Sequence, residues 1–299
     1  MLLPVSALGK ILLYLVTVLV VSALLAPLIY FGLHEHINFA FHRYVSRTTQ
    51  VTAIVLLVPL LLWLRLWGMK EIGLAKNPYA WRDVTTGLGL ALLPVAVMGG
   101  AYIYFGVYKM NDDAGLGALP KILLTAVFVA IVEEFLFRGV LLGLAAKAIG
   151  PVKAAIGVSL VFAFIHFLKP VSEGKIEVKW WSGFAQYGHV FDAAPPPVFF
   201  LLGFLSLFGA GLILSLAALR TKSLWLPIGI HAGWILGQQV LQKLAKYRVK
   251  PADELLPWVG PNVVSGAVPT GIVPLVVLLI IGTGVWLYVR HRTASTSGA

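Results

Sequence analysis

The chain has 299 residues, 59% of them hydrophobic and only 12% charged, where a soluble domain carries about a quarter charged residues. This balance, with a mean hydropathy of +0.91, excludes an ordinary water-soluble globule. The lack of cysteine excludes disulfides, a thiol nucleophile and thiolate metal sites, and the net charge of +11 comes without the basic stripe that nucleic acid binding requires.

Eight apolar runs are long enough to read as membrane spans, at about 11–33, 50–68, 86–108, 120–146, 152–169, 196–219, 223–243 and 269–290. The first follows Lys10 and is too long for the apolar core of a signal peptide, so it reads as a transmembrane helix. The second carries Arg65 near its end, where the side chain can reach the interface. Between the second and third, Met69 to Thr86 mixes Lys70, Glu71, Lys76, Arg82 and Asp83 with Tyr79 and Trp81, the pattern of an interfacial segment. The longest loops run from Lys169 to Pro197 and from Leu244 to Thr270, and the polar tail from Arg290 to Ala299 reads as disordered. No repeat or linker divides the chain, so a single integral membrane domain over 1–299 is expected.

With eight spans both termini share one side. That side collects Lys10, Lys70, Lys76, Arg82, Lys147, Lys153, Arg220, Lys222, Arg290 and Arg292 in short loops with few acids, while the basic residues of the opposite side lie in longer loops mixed with Asp and Glu. The positive-inside rule then places both termini in the cytoplasm.

Ionisable groups inside a span cost roughly 2.5–3.5 kcal/mol each on insertion scales. The fourth span nevertheless holds Glu133, Glu134 and Arg138. Glu134 and Arg138 are four apart, acid first, the favourable order for a pair on one helix face. Glu133 points about 100° away, with no partner on its own helix to neutralise it, and a carboxylate in such surroundings suits a general base. The fifth span ends its apolar run in His166, one turn after Phe162, and the seventh carries His231. Glu133, His166 and His231 come from three helices, and a bundle can gather them around one polar intramembrane cavity.

Alone, each has a plain structural explanation: an intrahelical ion pair, or a histidine bonding between helices. Together on three spans they make a functional pocket the stronger reading. Other intramembrane protease chemistries lack their signatures, since there is no zinc-binding His-Glu-x-x-His helix, no Gly-x-Ser-x-Gly elbow and no aspartate pair within the spans. A proton-coupled transporter could use the same polar residues, but the inverted repeats and broken helices that mark many transporters are missing.

Glu133-Glu134-x-x-x-Arg138, then Phe162-x-x-x-His166, then His231 resemble the successive motifs of the CAAX prenyl endopeptidase and bacteriocin-processing (Abi) family of glutamate-type intramembrane proteases. The likeness covers roughly 118–245. It implies an all-α polytopic helix bundle and an endopeptidase acting on a membrane-associated protein or peptide, with no metal and no cofactor. Three substrates are open: a prenylated tail, a peptide leader, or the C-terminal anchor of a surface protein. The last two are favoured because bacterial members outnumber the prenyl-processing ones. By the same likeness, Glu133 assisted by His166 activates water, His231 stabilises the oxyanion, and Glu134 with Arg138 holds the helix geometry. The family's third motif continues to an asparagine four residues after the histidine, where this chain has Ile235. Gln238 and Gln239 stand two turns beyond His231 as candidate substitutes. Ile235 also supports a rival, a non-catalytic immunity or scaffold protein.

Overall fold

The computed structural model describes residues 7–65, 77–112, 114–167, 177–188, 196–247, 255, 257–263 and 268–297. It is an all-α membrane protein with two short two-stranded sheets among the described residues, and each expected span overlaps a helix there. These are α1 (Ala7–Leu33), α2 (Phe41–Leu64), α3 (Ala80–Tyr104), α4 (Leu119–Glu134) continued by a π-helical segment (Phe135–Leu142) and α5 (Gly143–Ile149), α6 (Pro151–Phe167), α8 (Pro197–Thr221), α9 (Trp225–Leu244) and α10 (Ile272–Ser297). One short helix, α7 (Ser182–Gly188), lies in the first long loop.

Five of these, Gly9–Leu33, Phe41–Leu64, Ala80–Tyr104, Pro197–Thr221 and Ile272–Arg292, are long and apolar enough to cross a bilayer on their own. The other three depart from the expected eight for separate reasons. α6 is apolar but has only 17 residues. The run from Leu119 to Ile149 is divided where its hydrogen bonding widens to the π pattern. α9 carries His231, Gln238, Gln239 and three interior glycines among its 20 residues.

The chain folds as two compact units. The first comprises Met1–Trp67 with Ile165–Pro195, and the second Gly68–Phe164 with Pro196–Ala299. In the first, α1 packs on α2, and α7 lies so close to α1 that a Cβ on Gly183 would meet the Ala23 carbonyl oxygen at 2.0 Å. A polar knot ties the three helices, with the Tyr187 hydroxyl 2.8 Å from Ser22 Oγ and 2.6 Å from Thr49 Oγ1.

In the second unit α9 is the central helix, packed against α3, α4 and α8. Gly229, Gly233 and Gly237 recur every fourth residue and turn one bare face toward α3. Cβ atoms there would lie 2.2 Å from Val84 O, 2.7 Å from Leu88 O and 2.8 Å from Val95 Cγ1. Gly87 of α3 answers them, its own Cβ position 2.6 Å from Leu226 O. Apolar burial gives little net drive between helices in lipid, so such close backbone approach is what holds them. Around this pair Ala91, Leu214, Leu226, Ile230, Ile281 and Val285 form a fully buried core.

The two ends of the unit are closed differently. At one, β1 (Tyr108–Met110) pairs antiparallel with β2 (Ala245–Tyr247), so the chain leaving α3 is bound to the chain leaving α9. There Tyr108 stacks on Tyr102 and meets Tyr247 edge-on, each with ring centroids 5.6 Å apart. A second hairpin, β3 (Gly260–Val263) with β4 (Val268–Thr270), folds part of the loop before α10.

At the other end Asp83 is fully buried. It takes Arg292 Nη2 at 3.0 Å, the Tyr288 hydroxyl at 2.7 Å and Asn77 Nδ2 at 3.0 Å. Asp83, expected within an interfacial segment, is buried in the first turn of α3. One sequence expectation is overturned: the tail does not lose structure at Arg290, because α10 continues to Ser297 and brings Arg292 onto α3. Residues 69–76 of the expected interfacial segment lie outside the described residues.

Candidate functional site

The site is built where α4 passes into its π segment. Glu133 and Glu134 are the last two residues before the widened turn, and Arg138 lies within it. A π segment adds a residue to a turn and re-aims the side chains around it, which is why it recurs at functional sites.

Glu134 is fully buried, and its Oε1 receives Arg138 Nη1 at 2.8 Å. The same oxygen lies 2.7 Å from Nδ1 of His231, reached from α9. A fully buried carboxylate persists in charged form only with a charge partner and hydrogen bonds, and Glu134 has both. The ionised oxygen is an acceptor only, so Nδ1 of His231 carries the proton and donates. This directs Nε2 to the opposite side, where Glu133 Oε2 lies 3.8 Å away. The imidazole therefore stands between the two neighbouring glutamates.

The two acids have different surroundings. The Glu133 side chain retains 29% of its exposure and that of Glu134 none. Phe162 of α6 walls the cluster. Its ring centre is 4.5 Å from the Arg138 guanidinium carbon and 6.0 Å from the His231 ring, nearly edge-on to the imidazole. Phe137 packs edge-on against Phe162 at 5.1 Å. Arg138 Nη2 also donates to the Gly211 carbonyl of α8 at 3.4 Å.

Of the residues singled out from the sequence, Glu133, Glu134, Arg138, Phe162 and His231 meet at this one place. His166 is the penultimate residue of α6, half-buried, and belongs to the other compact unit. Ile235, one turn beyond His231, is also half-buried.

The sequence assigned Glu134 only its local partner. That it also holds His231 is a contact across 97 residues that spacing on one helix cannot reveal. The glycine ladder that lets α9 bring His231 so near was readable as a small residue every four, and was missed because glycine carries no chemistry to draw attention. Among the described residues no group of three metal-ligating side chains gathers. A cleft of about 370 Å³ opens instead between α3 and α10, lined by Leu93, Val97, Met98 and Ile280 among other apolar residues and distinct from the glutamates.

No curated protein and no solved structure matches the chain. Residues 115–236 match the family model described as type II CAAX prenyl endopeptidase Rce1-like. The matched segment holds both glutamates, Arg138, Phe162, His166 and His231, so this part of the chain is similar to the CAAX prenyl endopeptidase family.

Proposed function

We propose that the chain is an intramembrane endopeptidase in which Glu133 is the general base, cutting a peptide bond of a membrane-associated protein or peptide. The observation that carries this reading is the imidazole of His231 held between the two acids, Nδ1 on Glu134 and Nε2 toward Glu133. A separation of 3.8 Å is too long for a direct hydrogen bond but lets one water sit at bonding distance from both groups.

Glu133 takes a proton from that water as it attacks the scissile carbonyl; the assisting role of His166 rests on the family resemblance. The carbonyl oxygen becomes an oxyanion, and His231, fixed by Glu134, meets it with an Nε2–H once protonated. Glu133 then returns its proton to the leaving amine, so acid, base and water balance over the cycle. Glu134 and Arg138 act through His231 by holding its tautomer and ring plane, as the carboxylate partner of a catalytic histidine does elsewhere. No metal enters this scheme. A peptide leader or a C-terminal membrane anchor is the favoured substrate over a prenylated tail.

The test uses purified full-length protein with a panel of membrane peptides, read by mass spectrometry, beside Glu133→Gln, His166→Ala and His231→Ala. Loss of cleavage in all three, with folding retained, is the expected result. A Glu133→Gln protein that still cleaves ends the proposal. PH-coupled flux in place of cleavage establishes the transporter, and an unchanged cellular phenotype in all three variants establishes the scaffold.

A further inference from the structure

Around the Glu134–Arg138 pair, four buried polar side-chain atoms have no hydrogen-bond partner among the described residues: Glu134 Oε2, Arg138 Nε, Ser159 Oγ and Ser215 Oγ. Native proteins leave few such atoms, and four on one junction of helices call for a physical account.

The junction is tightly defined. Ser159 lies three residues before Phe162, hence on the same face of α6, and Phe162 lies on Arg138. Ser159 reaches α8 at Gly211, where a Cβ would stand 3.0 Å from the serine Oγ. The Gly211 carbonyl accepts from Arg138 Nη2. Ser215 follows Gly211 by one turn on that face. A helical serine commonly donates back to the carbonyl four residues earlier, but Ser215, fully buried, makes no such bond. Two serines, one guanidinium and one carboxylate, on α6, α8, the π segment and α4, thus keep hydrogen-bonding capacity unspent around Gly211 and the Glu134–Arg138 pair.

We infer that this junction is a built internal water site, in which ordered water accepts from Arg138 Nε–H, donates to Glu134 Oε2 and bridges the hydroxyls of Ser159 and Ser215. The donor set selects the ligand. A cation is repelled by Arg138 and an anion by Glu134. A small neutral molecule that donates and accepts satisfies both, and buried water typically makes about three such bonds. Ser159 and Ser215 are then positioning residues. They fix through water the guanidinium that fixes Glu134, and through it the ring of His231. The inference stands on packing and needs no particular reaction at the site.

The experiment compares the melting of the full chain in detergent with that of Ser159→Ala, Ser215→Ala and the double variant. A dry or back-bonded serine gains from losing its hydroxyl, because an unsatisfied buried group disappears. A serine that holds shared water loses by it. Each single variant is expected to melt about 2–4 °C lower, and the double variant lower by less than the sum, because both hydroxyls serve the same water. An unchanged or raised melting temperature in either single variant overturns the inference, as does full additivity. If a variant does not accumulate, the wild type suffices. With arginine labelled at 15Nε, the Arg138 Nε–H signal is expected to exchange magnetisation with bound water, and its failure to do so overturns the inference equally.

Discussion

A methyl group at position 229 tests how α9 presents its histidine. In the native packing the Cβ of an alanine there would stand 2.2 Å from the Val84 carbonyl oxygen and 2.9 Å from its Cα, both backbone atoms of α3. Neither can rotate away, so the helices must part by about 1 Å to reach ordinary contact. His231 is two residues further along α9, and its Nδ1 lies 2.7 Å from Glu134. Most of such a shift lengthens that bond past the range in which it counts as one.

Overpacking of this kind costs about 1–3 kcal/mol, and a misplacement of about 1 Å at a reacting group costs about a hundredfold in rate. Gly229→Ala is therefore expected to melt several degrees below the wild type. It should also lose the strongly hydrogen-bonded Nδ1 proton of His231 in a histidine-labelled spectrum, and retain about 1% of cleavage. Gly89→Ala is the control, on the same helix pair but with nothing within 4 Å of the added carbon, and it should behave as wild type. A Gly229→Ala protein with native melting and an unshifted His231 proton refutes the reasoning, because α3 and α9 would then not be in backbone contact at that point.

Three further outcomes follow from the same geometry. Glu134→Ala leaves Arg138 buried without its counter-charge, so the melting curve should record a loss of about 3–5 kcal/mol, whereas Glu134→Gln keeps the shape and should fold while losing activity as the His231 tautomer is no longer held. Asp83→Asn and Arg292→Met each break the buried clasp between α3 and α10; a double-mutant cycle read by melting should give a coupling of about 0.5–3 kcal/mol, and strict additivity would show that the pair does not interact. Ile235→Asn installs an amide one turn beyond His231, and if the site is short of one oxyanion donor the cleavage rate should rise by up to about 10²–10³-fold, measured with the peptide that the wild type cuts best.

The helices and the chemistry of α4 and α9 were legible because charge and imidazole stand out against apolar runs. Glu133, Glu134, Arg138 and His231 could each be picked from the sequence for the cost of burying them. What the sequence could not show was pairing over distance. The hydropathy pattern of 120–146 carries no trace of the π segment, since widening a turn alters hydrogen bonding and not composition. Asp83 and Arg292 each looked like a surface charge near a helix end. Only the antiparallel packing of α3 and α10 makes them neighbours, and their mutual neutralisation is what allows a fully buried aspartate. The strands β1 and β2 are three residues each, too short for alternation to register, and exist because two helix ends need closing.

The charge count of the site explains why two adjacent glutamates need not do the same work. Glu133, Glu134 and Arg138 together carry one net negative charge when ionised, and a neutral His231 leaves that charge in place. Arg138 and Nδ1 of His231 both lie on one oxygen of Glu134, so that acid is taken up by its two partners. Glu133 faces the other ring nitrogen of His231 at 3.8 Å and its side chain keeps 29% of its exposure. The proposed hydrolysis asks for a carboxylate and an imidazole about one water apart, and Glu134 is what turns the second ring nitrogen of His231 toward Glu133.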